Sequence, residues 1–95
     1  MRFEWDASKA EENARLHGVS FDEAATVFGD PFAATIRDPD HSIDEYRWIT
    51  MGETASGRLV AVIHAERAEA VQIISARPAT KGEKKKYVEG KKVDR

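Results

Sequence analysis

The spacing of apolar residues changes once along the chain, at Phe32, and that change limits what the sequence can fold into. Before it, apolar side chains recur with the 3.6-residue period of a helix; after it they alternate with the period of two that belongs to strands. A helical segment must therefore pack on a sheet. The opening Arg2-Phe3-Glu4-Trp5 alternates as well and predicts a short strand ending at Asp6, whose carboxylate can cap the helix that follows. Ser8-Lys9-Ala10-Glu11 offers a competing capping box. The helix ends near His17, because Gly18 adopts the left-handed closing position without strain. Ser20-Phe21-Asp22-Glu23 is a second capping box, in which the Ser20 hydroxyl accepts from the Glu23 amide, Glu23 reaches back, and Val19 staples onto Ala24. This helix presents Ala24, Val27 and Phe28 and stops at Gly29-Asp30-Pro31, so residues 7–28 form a helical hairpin.

Strands are predicted at Phe32–Arg37, Glu45–Met51, Arg58–Ala65 and Val71–Arg77, and the short links between them make neighbours antiparallel. Leu59-Val60-Ala61-Val62-Ile63 and the trio Val71, Ile73 and Ile74 are apolar on nearly both faces, which puts those two strands at the centre under helices on at least one side. Thr80-Lys81-Gly82-Glu83 is a third capping box and opens a short helix to about Val88, leaving 89–95 as a frayed polar tail. The predicted fold class is α+β: an antiparallel sheet of four to five strands packed by an N-terminal helical hairpin and a C-terminal helix. Ninety-five residues leave room for one such core, a single domain over 1–95.

Composition narrows the chemistry. The chain has no cysteine, which excludes a disulfide scaffold, a thiolate nucleophile and any sulfur-ligated zinc or iron–sulfur site. No run approaches the ~18 apolar residues of a membrane span, and the first six residues lack the apolar core of a signal peptide. The expected location is cytoplasmic, with no membrane partner. Phosphate loops, dinucleotide-binding glycine patterns and serine elbows are missing. His17, His41 and His64 fall on a helix end, a turn and a strand without metal-pair spacing, so neither a metal nor a cofactor is expected. The net charge of −2 hides an asymmetry: residues 1–45 carry four basic and eleven acidic side chains, a net of −7, whereas residues 46–95 carry eleven basic and six acidic, a net of +5. A polyanion can feel the basic half although the whole chain is acidic.

Within that half, Arg58, Arg67 and Arg77 mark the ends of the two central strands, and Lys81, Lys84, Lys85, Lys86 and Tyr87 follow on the last helix. Paired as a hairpin, the strands put Arg67 in the connecting turn and bring Arg58 and Arg77 together beside the lysine helix. A guanidinium grips a phosphate through two parallel hydrogen bonds, and lysines attract the backbone without reading sequence. Trp48 and Tyr87 are candidates for stacking on a splayed base. Lys84-Lys85-Lys86 equally fits a solvated helix face, and Tyr87 a packed residue at a helix edge. His64 shares a strand face with Val60 and Val62, as a core histidine would; its functional role would be a proton shuttle in RNA cleavage, where a 2′-hydroxyl attacks its own phosphate. His64 or Glu66 would be the base and Arg67 or Arg77 the phosphate holder. Glu66-Arg67 also fits a turn with a surface ion pair worth under ~1 kcal/mol.

Taken in order, Phe3-Glu4-Trp5-Asp6, Lys9, Asn13, His17-Gly18-Val19-Ser20-Phe21, Ala24, Val27-Phe28, Asp30-Pro31, Asp40-His41-Ser42, Glu45, Arg47, Ile73-Ile74-Ser75-Ala76-Arg77, Ala79-Thr80, Glu83 and Tyr87 resemble the BrnT toxin family over residues 3–87. The resemblance implies a fold similar to the RelE/ParE group and a type II toxin: an endoribonuclease that cleaves messenger or ribosome-associated RNA and arrests growth. It also implies a BrnA-like ribbon-helix-helix antitoxin as partner, with operator DNA bound only through that antitoxin. Residues matching the family's polar motifs are His41, Glu45 and Arg47, then His64, Glu66 and Arg67, then Arg77 and Tyr87. From these, Arg67 and Arg77 lead as catalytic candidates with His64, Glu66 and Tyr87, while Arg47, His41, Lys81, Lys84 and Lys85 would bind substrate. Pro78 and Ala65 depart from the pattern and remove two phosphate contacts. A catalytically silent or ParE-like poison acting through its surface, and a component that only completes a repressor on DNA, are the competing expectations.

Overall fold

The computed structural model describes residues 1–39 and 46–93. Strand β1 (Arg2–Glu4) leads into α1 (Ala7–His17) and α2 (Phe21–Ala25), which tightens into a 3-10 turn (Thr26–Gly29). Four strands follow, β2 (Ala34–Arg37), β3 (Arg47–Glu53), β4 (Leu59–Arg67) and β5 (Ala70–Pro78), and α3 (Lys81–Val93) closes the chain. The caps show why the helices start where they do. Asp6, not the Ser8 box, caps α1 by accepting from the Lys9 amide at 3.0 Å, and Gly18 closes it at φ 68°. Ser20 accepts from the Glu23 amide at 3.0 Å, but the Glu23 carboxylate does not reach back; Arg58 holds it instead. The box at Thr80 is reciprocal: the Glu83 amide donates to Thr80 Oγ1 at 3.2 Å and the Thr80 amide to Glu83 Oε1 at 2.9 Å.

The strands lie in the order β1-β5-β4-β3-β2. Each of the pairs β2–β3, β3–β4 and β4–β5 is antiparallel, while β1 joins the free side of β5 in parallel, Phe3 opposite Val71. The sheet is therefore mixed, not wholly antiparallel. Hairpin links force the direction of β2 to β5, but two helices and three strands separate β1 from β5, and a connection that long imposes no reversal. Only Ala68 and Glu69 link β4 to β5, with Ala68 in the left-handed region at φ 54°. Arg67 is thus the last residue of a strand, and the turn lies beyond it.

Helices α1 and α2 cover one face, burying Val19, Phe21, Ala24 and Val27 against Val60, Val62, Ile73 and Ala76. Phe3 packs on Phe28 at 5.3 Å between ring centroids, and the edge of Trp5 meets Phe21 at 6.0 Å. The expected end of α3 at Val88 moves to Val93. Lys91, one turn past Tyr87, sets its ammonium over the rings of Tyr87 and Phe32 at 5.0 and 5.3 Å, so the added turns have something to pack on.

One buried polar side chain holds the helical layer to the sheet. Asn13 projects from α1 beyond the end of β1, and its Nδ2 donates to the carbonyls of Ala76 (2.8 Å) and Val19 (3.0 Å) while its Oδ1 accepts from the Ala76 amide (3.1 Å). The side-chain amide satisfies the edge of β5 four residues past Gln72, where β1 no longer runs. Asn13→Ala would strand the amide and carbonyl of Ala76 in a dry site, at ~1–3 kcal/mol for each orphaned group. Urea unfolding followed by circular dichroism should show a loss of about 2–4 kcal/mol with the slope unchanged.

Candidate nucleic-acid interface

Side chains alternate across each strand, and cross-strand partners point the same way. Val60, Val62 and His64 of β4 face the helices, so Ala61, Ile63, Ala65 and Arg67 face the opposite side. Arg47 and Gln72 both pair with Ala65 and share that second face. Arg47 and Arg67 are diagonal neighbours there, about 7–8 Å apart at the backbone. Between them Ala65 and Ala70 are buried, small enough to leave a shallow floor. Arg77 pairs with Ala61 and lies on this face as well. Six residues of β4 separate that pair from Arg67, however, which is about 20 Å of strand. Arg67 and Arg77, the two leading catalytic candidates, therefore stand at opposite ends of an arginine-bearing strip and do not form one site, because antiparallel register places the two ends of a hairpin apart.

The far end of the strip is partly neutralised. Arg77 donates to both oxygens of Glu83 at 2.8 and 3.1 Å, and this pairing holds the Glu83 carboxyl down at about 2 and raises the guanidinium. Arg58 does not join Arg77. It clasps Glu23 at 2.5 and 2.9 Å and donates to the Gly18 carbonyl at 2.9 Å, tying the helical hairpin to the start of β4. With hydroxyls of Ser56 and Thr54 also donating, the Glu23 carboxyl is held at about 2. Lys81, Lys84, Lys85 and Lys86 are all exposed on α3. Tyr87 does not offer its ring to a base. It is buried, and its hydroxyl donates to Asp30 Oδ2 at 2.5 Å; burial and this bond to a carboxylate push the phenol far above its ordinary range. Asp30 also accepts from the amides of Glu53 (2.7 Å) and Phe32 (2.8 Å); burial opposes its charge, yet these bonds hold its carboxyl below the usual value. Sequence reasoning saw Asp30 only as a helix stop, since no local pattern announces a hub joining the 3-10 turn, β3 and α3.

His64 lies on the helical face, opposite the arginines, and is 5% exposed. Its Nε2 is 2.7 Å from Thr50 Oγ1, which is itself 2.7 Å from Thr35 Oγ1, and its ring stands edge-on to Phe28 at 4.9 Å. Nδ1 is buried without a partner. The favoured tautomer keeps the hydrogen on Nε2, donating to Thr50, since a bare lone pair costs less there than a stranded N–H. Burial drives the imidazole down to about 4, so it is neutral at pH 7. This is the position of a core histidine, with no path to the phosphate strip.

Glu66 also points to the helical side. With Tyr46, Trp48 and Ala65 it lines a cleft of about 270 Å³ at the turn end of the sheet, and the Arg37 guanidinium lies 4.2 Å over the Tyr46 ring. Trp48 is a stacking candidate from the sequence, and the structure adds Tyr46 and Arg37, of which Tyr46 alternates with Trp48 around Arg47. His41, the remaining substrate candidate, lies outside the described residues. Among the described residues, no three histidine, aspartate or glutamate side chains gather closely enough to hold a metal ion, and no helix is long and apolar enough to cross a membrane.

The chain is a small α+β domain with α1 and α2 on one sheet face and Arg47, Arg67 and Arg77 at strand positions of the other. The family described as "Ribonuclease toxin, BrnT, of type II toxin-antitoxin system" matches residues 5–83, and the chain belongs to it. That family is one of ribonuclease toxins, each paired with an antitoxin. The chain is also similar to the ribonuclease toxin BrnT of Brucella abortus, known from a 1.1 Å crystal structure, with a TM-score of 0.63 and 25% identity over 85% of this chain and 99% of that one. A search of curated protein sequences found no match.

The depressed His64 sets an acid limit on stability. The unfolded chain takes a proton at this residue near pH 6.5 and the folded chain only near 4, so stability should fall as pH drops through that window. Below about 4.5, loss of the Glu23 and Glu83 pairings adds a second decline. Unfolding free energies from urea titrations at pH 7 and pH 5 should differ by roughly 1–2 kcal/mol for the wild type, and His64→Gln, which keeps the bond to Thr50 but does not titrate, should remove most of that difference.

Proposed function

We propose that this chain is a toxin endoribonuclease that cuts RNA by metal-independent attack of a 2′-hydroxyl on the adjacent phosphorus, and so arrests growth in the cytoplasm. The observation that carries this reading is the placement of Arg47 and Arg67 as diagonal neighbours on the sheet face opposite α1 and α2. In the reaction the 2′-hydroxyl loses its proton to water as its oxygen bonds to phosphorus, the bond from phosphorus to the 5′-oxygen breaks, that oxygen takes a proton back from water, and a 2′,3′-cyclic phosphate remains. Charge on the phosphoryl oxygens is greatest in the crowded intermediate, and two guanidiniums reaching the same phosphate stabilise it more than they stabilise the substrate. Arg77, tied to Glu83, and the exposed Lys81, Lys84 and Lys85 guide the backbone at the other end of the strip without touching the reacting phosphate. Neither His64, buried and neutral, nor Tyr87, spent on Asp30, takes part in proton transfer. The partner is a BrnA-like ribbon-helix-helix antitoxin that covers the strip and carries the pair to operator DNA.

Purified protein incubated with RNA in excess EDTA should release products ending in cyclic phosphate. Arg67→Ala and Arg47→Ala should each lower the rate about 100-fold with unchanged circular dichroism, the order lost when one preorganised donor is removed. Arg77→Ala should cost markedly less. Cleavage that stops in EDTA, or survives the Arg47/Arg67 double substitution, refutes the mechanism.

A further inference from the structure

The cleft on the other side of the same strand ends contains groups the cleavage mechanism does not use. It is lined by the two aromatics Tyr46 and Trp48 and by Glu66, with the strand at Ala65 between them. Glu66 is exposed and has no hydrogen bond or ion pair among the described residues, unlike Glu23 and Glu83, which arginines clasp. Tyr46 is 63% exposed for so large a ring, and Arg37 is laid over it at 4.2 Å. An aromatic surface backed by a guanidinium and left open to solvent attracts a flat, electron-rich ring. At about 270 Å³ the cleft falls just below the ~300–1,000 Å³ of sites that take drug-sized molecules, enough room for a single flat ring system.

Resting on the ribonuclease reading above, we infer that this cleft holds one unstacked base of the RNA and selects guanine through Glu66. Tyr46 and Trp48 supply stacking, which every base accepts. Selection comes from the carboxylate, which has acceptors only. The Watson–Crick edge of guanine presents two adjacent donors, N1–H and N2–H, and these match the two carboxylate oxygens. Cytosine and adenine present one amine beside a ring acceptor, and uracil one N–H between two carbonyls, so each sets at least one lone pair against the carboxylate. Strand alternation explains why base and phosphate contacts come from neighbouring residues: Arg47 stands between Tyr46 and Trp48, and Arg67 follows Glu66, each turned to the opposite face. An RNA strand passing over this end of the sheet meets base contacts on one side and phosphate contacts on the other.

Two measurements test the inference separately from catalysis. Titration with the four nucleoside 5′-monophosphates, read as tryptophan fluorescence with Trp48→Phe as the blank, should give saturable quenching by GMP and at least ~10-fold weaker binding of AMP, CMP and UMP, the discrimination of a bidentate base contact. Glu66→Gln should erase the preference while stacking persists. Equal binding of all four, or a Trp48 that responds only to added antitoxin, overturns the pocket. Mapping of cut sites in an RNA holding every dinucleotide step should show guanine enriched at one fixed position for the wild type and not for Glu66→Gln. Cuts without guanine enrichment overturn the pocket and leave the nuclease standing, whereas selective GMP binding beside uncut RNA supports the pocket and refutes the nuclease.

Discussion

Pairing of β4 with β5 decides where the charges of this protein stand. Once Arg67 is set opposite Ala70 and Ala61 opposite Arg77, every side chain on the two strands is assigned both a face and an end. The helical face receives Val60, Val62 and Ile73, whose burial stabilises the domain. The other face receives the arginines, which could not be buried there without partners. A shift of one residue would put arginine into the core and valine into water, so the stability of the core and the location of the cationic strip are one constraint. The bulge that leaves Ile74 without a partner on β4 absorbs an extra residue between these two demands.

Polar clasps then complete the structure at places where apolar packing is thin. Asn13 satisfies the edge of β5 beyond β1, Glu23 with Arg58 ties the helical hairpin to the β3–β4 turn, and Asp30 binds α3 to the sheet through Tyr87. Each joins residues far apart in the chain, and each leaves its polar atoms partnered, as groups removed from water require. Two of the clasps consume groups that chemistry might otherwise use, the Arg58 guanidinium and the Tyr87 hydroxyl. A third pairing, Arg77 with Glu83, anchors α3 to the end of β5 in the same way.

Much of this was legible locally. The caps at Asp6, Ser20 and Thr80, the left-handed Gly18 and the doubly apolar β4 and β5 are signals carried within a few residues, and backbone geometry obeys them. The parallel entry of β1 was not legible, because its partner lies almost seventy residues away and no turn connects them. The same holds for the site. Arg58, Arg67 and Arg77 with the lysines of α3 are visible in the sequence as a basic set, but which of them share a face and an end depends on register. Sequence neighbours such as Glu66 and Arg67 look like one site and face opposite ways.

The amino-acid sequence alone determined the helical and strand segments, the two central strands, the absence of thiol chemistry and the family, because periodicity, caps and composition act over short distances or over the chain as a whole. Only the tertiary structure decided that Arg67 stands beside Arg47 and not beside Arg77, that Arg58 and Tyr87 are held by Glu23 and Asp30, and that His64 is buried and uncharged. Those outcomes rest on distance and desolvation between residues remote in the chain, and both exist only after the sheet has closed on its helices.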